Sequence, residues 1–147
     1  LKALEENNIK VDAVAGTSIG SIVASLYAMG YNTEEMINLF RYFAKGMLKA
    51  NPGEMVTNVK TGKGIRLEGA LSSINIELAM QEVAKYKSLR NIKDLKMPIA
   101  IAAVDINTSK KYVFTNLDIQ EDNYINNADI EKAVRASSSY PRSICTM

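Results

Sequence analysis

A chain of 147 residues can bury a hydrophobic core without a disulfide or a structural metal, and it fits one domain. Hydrophobic residues make up 47% of it, charged residues 23%, and the net charge is +2, which excludes a strongly basic nucleic-acid binder. The single cysteine, Cys145, cannot form an internal disulfide, and no apolar run approaches the roughly 20 residues that cross a bilayer.

The first third of the sequence predicts a helix, a strand, a sharp turn and a second helix. "LKALEENN" is typical of the end of a helix broken at Asn7 and Asn8. Ile9 to Ala15 predicts a strand and Gly16 to Gly20 a turn. Small and apolar residues from Ser18 to Met29 recur at helical spacing, and Gly30 lies where a left-handed C-terminal cap is expected.

A further helix is predicted to begin at Asn32 or Thr33, with Glu35 completing a capping box, and to end near Gly46. Its expected buried residues are Met36, Ile37, Leu39, Phe40 and Phe43. Asn51 to Gly69 is rich in glycine and proline and is predicted to be a loop.

The second half predicts a helix within Leu71 to Tyr86, followed by the apolar run "IAIAAVDI" after Pro98, typical of a strand covered on both faces. Asn107 to Lys110 is expected to turn the chain into a second strand, Tyr112 to Thr115. The last helix is expected from Asp129 to Ser138. Strands that alternate with helices indicate an α/β domain, here a single one over residues 1–147.

Ser18 lies between two glycines, Gly16 and Gly20, where the strand is expected to pass into the helix. Glycines permit a tight turn at a nucleophilic serine, and the free N–H groups of the following helix can stabilise a developing oxyanion. The alternative is a purely structural bend.

The chain contains no histidine, so these residues cannot form a Ser-His-Asp triad. Either the base lies outside this sequence, or a carboxylate acts directly on the serine. A carboxylate can do so where burial raises its pKa towards the working pH.

Three stretches follow one another in the chain: the region from Leu1 through "AVAGTSIGSIVASLYAMG" (13–30), "LKMPIAIAAVDINTSKKYVF" (95–114) and "AVRASSSYP" (133–141). In this order they resemble the patatin-like phospholipases, with Asn8 where glycine is usual. The resemblance implies a three-layer α/β/α fold with a mainly parallel sheet. It also implies hydrolysis of phospholipid or other acyl esters through an acyl-enzyme, by a Ser-Asp dyad and without a cofactor or metal.

Under this resemblance Ser18 is the nucleophile. Gly16 and Gly20 shape its elbow, and the N–H of Ile19 assists at the oxyanion. The family's upstream D-G-G-G-x-R-G loop and its later D-G-G or D-G-A aspartate have no match here, and the tail "RSICTM" departs from the usual pattern. We therefore expect a domain truncated at both ends, without its dyad aspartate and inactive alone.

The aspartates present are expected to have other roles. Asp105 is expected to bond to N–H groups of its own turn, Asp129 to cap a helix, and Asp12 to lie in the strand with its side chain out of reach of Ser18.

Two other functions stay open at this point: a noncatalytic lipid- or protein-interaction domain, and an acyl-carrier transacylase, although the latter usually pairs its serine with histidine. "KTGKGIR" (60–66) lacks the spacing of a phosphate loop. A cytoplasmic or membrane-peripheral location is expected. Peripheral membrane contact and homo-oligomerisation also stay open, and no nucleic-acid partner is expected.

Overall fold

The computed structural model describes residues 1–50 and 73–139, and it describes the side chains of these residues except those of 44–50 and 73–75. The predicted loop at 51–69, the "KTGKGIR" segment, Cys145 and the "RSICTM" tail lie outside the described residues.

The part of the chain that the structure describes contains five α-helices and four short strands. The helices are α1 (Lys2–Glu6), α2 (Ile19–Ala28), α3 (Thr33–Ala50), α4 (Ser73–Tyr86) and α5 (Ile130–Ser138), with a 3-10 turn at Ile92–Asp94. The strands are β1 (Val14–Gly16), β2 (Ile99–Val104), β3 (Lys111–Thr115) and β4 (Tyr124–Ile125).

The strands form a four-stranded sheet in the order β1-β2-β3-β4. β1 is parallel to β2, β2 is antiparallel to β3, and β3 is parallel to β4, so most pairings are parallel. This confirms the predicted α/β fold with a mainly parallel sheet. β4, which has only two residues, was not predicted.

Strand β1 is shorter than the predicted Ile9 to Ala15, because its pairing partner begins late. The first paired residues are Val14 and Ile99, and the N–H of Val14 donates to the carbonyl of Pro98. β2 starts only after this proline, so the residues before Val14 have no ladder to join. Asp12 therefore precedes the strand, and its carboxylate contacts Lys10 on the surface.

Helices α2 and α3 have the predicted ends on either side of Gly30. Gly30 has a φ of 84°, Tyr31 N–H donates to the carbonyl of Leu26, and Gly30 N–H donates to that of Tyr27, which together form a Schellman motif. The side chain and N–H of Asn32 exchange hydrogen bonds of 2.8 Å with those of Glu35, confirming the capping box.

Two details of the predicted helices are wrong. α3 does not end near Gly46 but continues to Ala50. Ile37, predicted to be buried, is 41% exposed, whereas Met36 is buried and Leu39, Phe40 and Phe43 pack against the core. Position 37 therefore lies on the edge of the apolar stripe.

The core is centred on α5 and the start of β2. Ile130, Ala133 and Val134 of α5 are fully buried, as is Ile101 of β2, and Ile99 is almost so. The other residues of β2 are half-buried or, at Val104, exposed, so its burial alternates, contrary to the expectation of two fully covered faces.

The predicted helix cap at Asp129 is correct in position but not in mechanism. Asp129 is the residue before α5, yet its side chain makes no capping hydrogen bond. Its carboxylate instead contacts Lys132 at 3.1 Å and Arg90 at 3.3 Å. The hydrogen bond from Lys132 is the main cause that lowers the pKa of Asp129.

Asn116 fixes the chain that enters β2. Its Nδ2 donates to the carbonyls of Leu95 and Met97, at 2.8 and 2.9 Å, and its Oδ1 accepts the N–H of Ile99 at 3.0 Å. One half-buried side chain thus satisfies three backbone groups and sets where β2 begins pairing with β1.

We expect Asn116→Ala to lower the free energy of unfolding by about 3 kcal/mol, at about 1 kcal/mol for each lost hydrogen bond. Urea denaturation of the purified protein measures the change. Asn107→Ala, at an exposed position in the β2–β3 turn, is the control, and we expect a change within about 0.5 kcal/mol. Equal stabilities for the two variants would contradict this role of Asn116.

Candidate active site

Ser18 lies at the turn between β1 and α2 in a backbone conformation that is costly for a residue with a side chain. Its φ is 55° and its ψ is −126°, and its side chain is exposed. A non-glycine residue in such a region costs on the order of 1–3 kcal/mol and persists only where its surroundings impose it. The turn follows the carboxyl end of a strand with a parallel neighbour, where sites of α/β proteins gather.

The close approach of β1 to α2 explains the first glycine of the motif. A Cβ at Gly16 would lie 2.2 Å from the carbonyl oxygen of Gly20 and 2.7 Å from the nitrogen of Ser21. Both atoms belong to the backbone, which cannot shift easily to make room. Only glycine therefore allows the strand to end against the first turn of the helix.

Gly20 is in a different environment, since a Cβ there would meet no atom within 4 Å. The two glycines of the motif are therefore not equivalent within the described residues. Of these two positions, only Gly16 is required to be glycine by the packing of the described residues.

We expect Gly16→Ala to destabilise the protein by about 1–3 kcal/mol, the usual cost of overpacking, and to disrupt the turn. Gly20→Ala is expected to leave stability unchanged or to raise it by up to about 1 kcal/mol, because alanine favours a helix over glycine. Thermal unfolding of the pair measures the difference, and a Gly20→Ala variant as unstable as Gly16→Ala would contradict it.

Four hydrogen bonds occupy the backbone of Ser18. Its N–H donates to Ser137 Oγ at 2.9 Å. Its carbonyl accepts from Ser21 Oγ at 2.6 Å, from Ser21 N–H at 2.9 Å and from Ser138 Oγ at 3.3 Å. Ser137 and Ser138 lie at the end of α5, so this helix and α2 together fix the strained turn.

The Ser18 hydroxyl and the Ile19 N–H are available for a ligand within the part of the chain that the structure describes. Neither makes a hydrogen bond to a described residue. The Ile19 N–H is the first of α2, a helix of ten residues, and the positive end of the helix dipole favours negative charge there. The hydroxyl could therefore attack a carbonyl carbon, and the N–H could stabilise the oxyanion that forms.

None of the six aspartates hydrogen-bonds to Ser18, and the structure describes all of them. Asp105, which follows β2, accepts the N–H of Asn107 at 2.9 Å and the hydroxyl of Thr108 at 2.8 Å. Its carboxylate thus bonds within its own turn, as the sequence predicted. The Thr108 hydroxyl is the main cause that lowers the pKa of Asp105.

We expect Thr108→Val to raise the pKa of Asp105, as measured by an NMR titration of its side-chain carboxyl. The folded-state pKa of Asp105 is depressed, so the stabilisation from this turn is present above the unfolded-state pKa and is lost as the pH falls through the folded-state value. Asn107→Ala keeps the donating backbone N–H and should leave the pKa unchanged. A Thr108→Val pKa equal to the wild-type value would contradict the assignment.

The described residues contain no group of histidine, cysteine, aspartate and glutamate side chains that could hold a metal ion. No described helix is both long enough and apolar enough to span a bilayer.

Sequence reasoning missed the roles of Ser137 and Ser138. Both belong to the stretch "AVRASSSYP" that carries part of the family resemblance, but the motif alone assigned them no role. Helical spacing was the available signal, because they lie seven and eight positions after the buried Ile130 and so continue its face towards β1 and β2.

The arrangement at 16–20 has the geometry of a nucleophile elbow, the strained strand-to-helix turn of serine hydrolases with α/β folds. A family model for patatin-like phospholipases matches residues 1–141. The chain therefore belongs to the patatin-like phospholipase family, as its motifs indicated.

Three similar proteins are named Lysophospholipase NTE1. That of Meyerozyma guilliermondii is 54% identical over 43 residues, 29% of this chain and 3% of the relative. Those of Kluyveromyces lactis and Debaryomyces hansenii are 48% and 46% identical over 44 and 43 residues, again 3% of each relative. The similarity to these relatives thus covers a small part of their length.

Proposed function

We propose that the protein is a lipid acyl hydrolase in which Ser18 is the nucleophile. The observation that carries the proposal is the strained, exposed Ser18 at the end of a parallel strand, in a chain of the patatin-like phospholipase family. A site built for packing alone would gain nothing from this strain.

In the proposed reaction the Ser18 oxygen attacks the carbonyl carbon of an acyl ester. The base takes the Ser18 proton and passes it to the alcohol oxygen as the tetrahedral intermediate expels the alcohol and leaves an acyl-enzyme. Water then gives a proton to the base while its oxygen attacks the same carbon, and the bond to the Ser18 oxygen breaks as that oxygen takes up this proton and the fatty acid is released. The Ile19 N–H donates to the oxyanion in both steps, assisted by the helix dipole.

The proposed base is an aspartate carboxylate, as the resemblance to the patatin-like phospholipases implies. A buried aspartate whose pKa is raised by desolvation can take the serine proton directly. Since none of the six aspartates here hydrogen-bonds to Ser18, we propose that the dyad aspartate is not among these 147 residues. The glycine-rich loop that the family resemblance implies as a second oxyanion donor also has no match in this sequence, so we expect this chain alone to be inactive.

We propose a phospholipid or lysophospholipid as the substrate. The relatives' name, lysophospholipase, supports this class. Ile19, Val104 and Ile106 support it as well, because they lie at or just after the carboxyl ends of β1 and β2 and are 61, 62 and 65% exposed. Apolar side chains at that edge of the sheet suit the hydrocarbon of an acyl chain or of a lipid surface.

We expect Ser18→Ala, made in the full-length protein, to lower kcat for fatty-acid release from lysophosphatidylcholine micelles by at least about 10³-fold. It should also abolish labelling by a fluorophosphonate probe, because that probe requires an activated serine oxygen. Mass spectrometry of the labelled wild-type protein should place the adduct on Ser18.

Ser109→Ala is a matched control. Ser109 also has a φ of 55°, so both variants place alanine in the left-handed region, but Ser109 lies in the β2–β3 turn. We expect it to keep wild-type turnover. If Ser18→Ala retained turnover and labelling, the nucleophile assignment would be wrong. If the wild-type protein bound lipid without hydrolysing it, an interaction domain would replace the proposed enzyme.

A further inference from the structure

The hydroxyl of Ser137 links the strained turn to the neighbouring strand. Ser137 Oγ donates to the carbonyl of Ala102 in β2 at 2.6 Å and accepts the N–H of Ser18 at 2.9 Å. A serine hydroxyl has one hydrogen, and here that hydrogen is directed at a carbonyl, which can only accept. The oxygen is therefore left to accept from Ser18, and the direction of both bonds is fixed.

The link lies where the strand ladder ends. The last paired residues of β1 and β2 are Gly16 and Ile101, so β1 provides no paired residue opposite Ala102. At this point the chain leaves the sheet for the elbow. The Ser137 hydroxyl bridges the opening between the two backbones and satisfies one donor and one acceptor that the sheet would otherwise have paired directly.

Ser138 acts on the next peptide unit. The carbonyl of Ser18 and the N–H of Ile19 belong to one planar trans peptide, so they point in opposite directions. Ser138 Oγ at 3.3 Å and Ser21 Oγ at 2.6 Å both donate to that carbonyl. Holding the carbonyl on the side of these serines therefore directs the Ile19 N–H to the other side.

We infer that Ser137 and Ser138 are positioning residues for the nucleophile: Ser137 fixes the peptide before Ser18, and Ser138 fixes the peptide whose N–H is the oxyanion donor. This inference rests on the proposed function. Neither serine touches the reacting atoms. Each acts through the backbone of Ser18, so its removal affects the reacting geometry rather than the binding of the lipid.

The run of three serines provides its own matched control. Ser139 Oγ donates to the carbonyl of Arg135 within the same helix end and makes no hydrogen bond to the elbow. Ser137→Ala, Ser138→Ala and Ser139→Ala in the full-length protein therefore remove the same group at successive positions. Only the first two removals change the contacts of Ser18.

We expect Ser137→Ala to lower kcat by about 10- to 100-fold with KM within about twofold, as for a small misplacement of a reacting group. The rate of fluorophosphonate labelling should fall in parallel. Ser138→Ala should give a smaller fall in kcat, because its hydrogen bond is longer. Ser139→Ala should keep wild-type kcat, and Ser137→Thr, which retains the hydroxyl, should restore most of it.

Rates are taken per active site titrated with the fluorophosphonate, so a loss of folded protein does not imitate a loss of kcat. An unchanged kcat in Ser137→Ala, or an equal loss in Ser139→Ala, would overturn the inference while Ser18→Ala still supports the hydrolase. If Ser137→Ala does not fold, the other two variants test the inference. Wild-type kcat in Ser138→Ala, or a large loss of kcat in Ser137→Thr, would overturn the inference. Full activity of Ser18→Ala would instead overturn the proposed function itself.

Discussion

The close contact between the end of β1 and the first turn of α2 is the constraint on which the rest of the site depends. The Cα of Gly16 lies so near the carbonyl of Gly20 that no side chain fits between them. The chain therefore passes from β1 to α2 through only Thr17 and Ser18, and Ser18 adopts a positive φ in this turn. Ser21 of α2 contacts the strained backbone locally, and the other contacts that balance the strain come from elsewhere in the fold.

The more distant contacts to the Ser18 backbone come from α5, whose position the hydrophobic core sets. Ile130, Ala133 and Val134 are fully buried, which fixes the rotation of the helix about its axis. Arg135 pairs with Glu77 of α4 and ties the same helix to its neighbour. With the rotation fixed, the positions seven and eight residues after Ile130 must face the elbow. Core packing thus determines where the hydroxyls of Ser137 and Ser138 lie.

The sequence was sufficient to predict features that have local causes. The cap at Gly30, the capping box of Asn32 with Glu35, and the elbow at 16–20 each depend on residues a few positions apart, and the structure has all three. The predicted start of β1 was wrong, because the true start depends on where β2 begins, some 85 residues further along the chain. The contacts of Ser137 escaped prediction for the same reason, since its partners come from two other elements.

The contacts of Ser18 also distinguish its backbone from its hydroxyl. All four hydrogen bonds to its backbone come from serines of this chain, whereas its hydroxyl bonds to none of the chain's aspartates. The described contacts therefore hold the strained conformation without using the Ser18 hydroxyl, and in the proposed hydrolase the base would have only to accept a proton. Such preorganisation matters because a group already in position costs no further ordering when the reaction occurs. With the proposed carboxylate base this advantage is greater, because a carboxylate is a weak base and needs a well-placed serine oxygen.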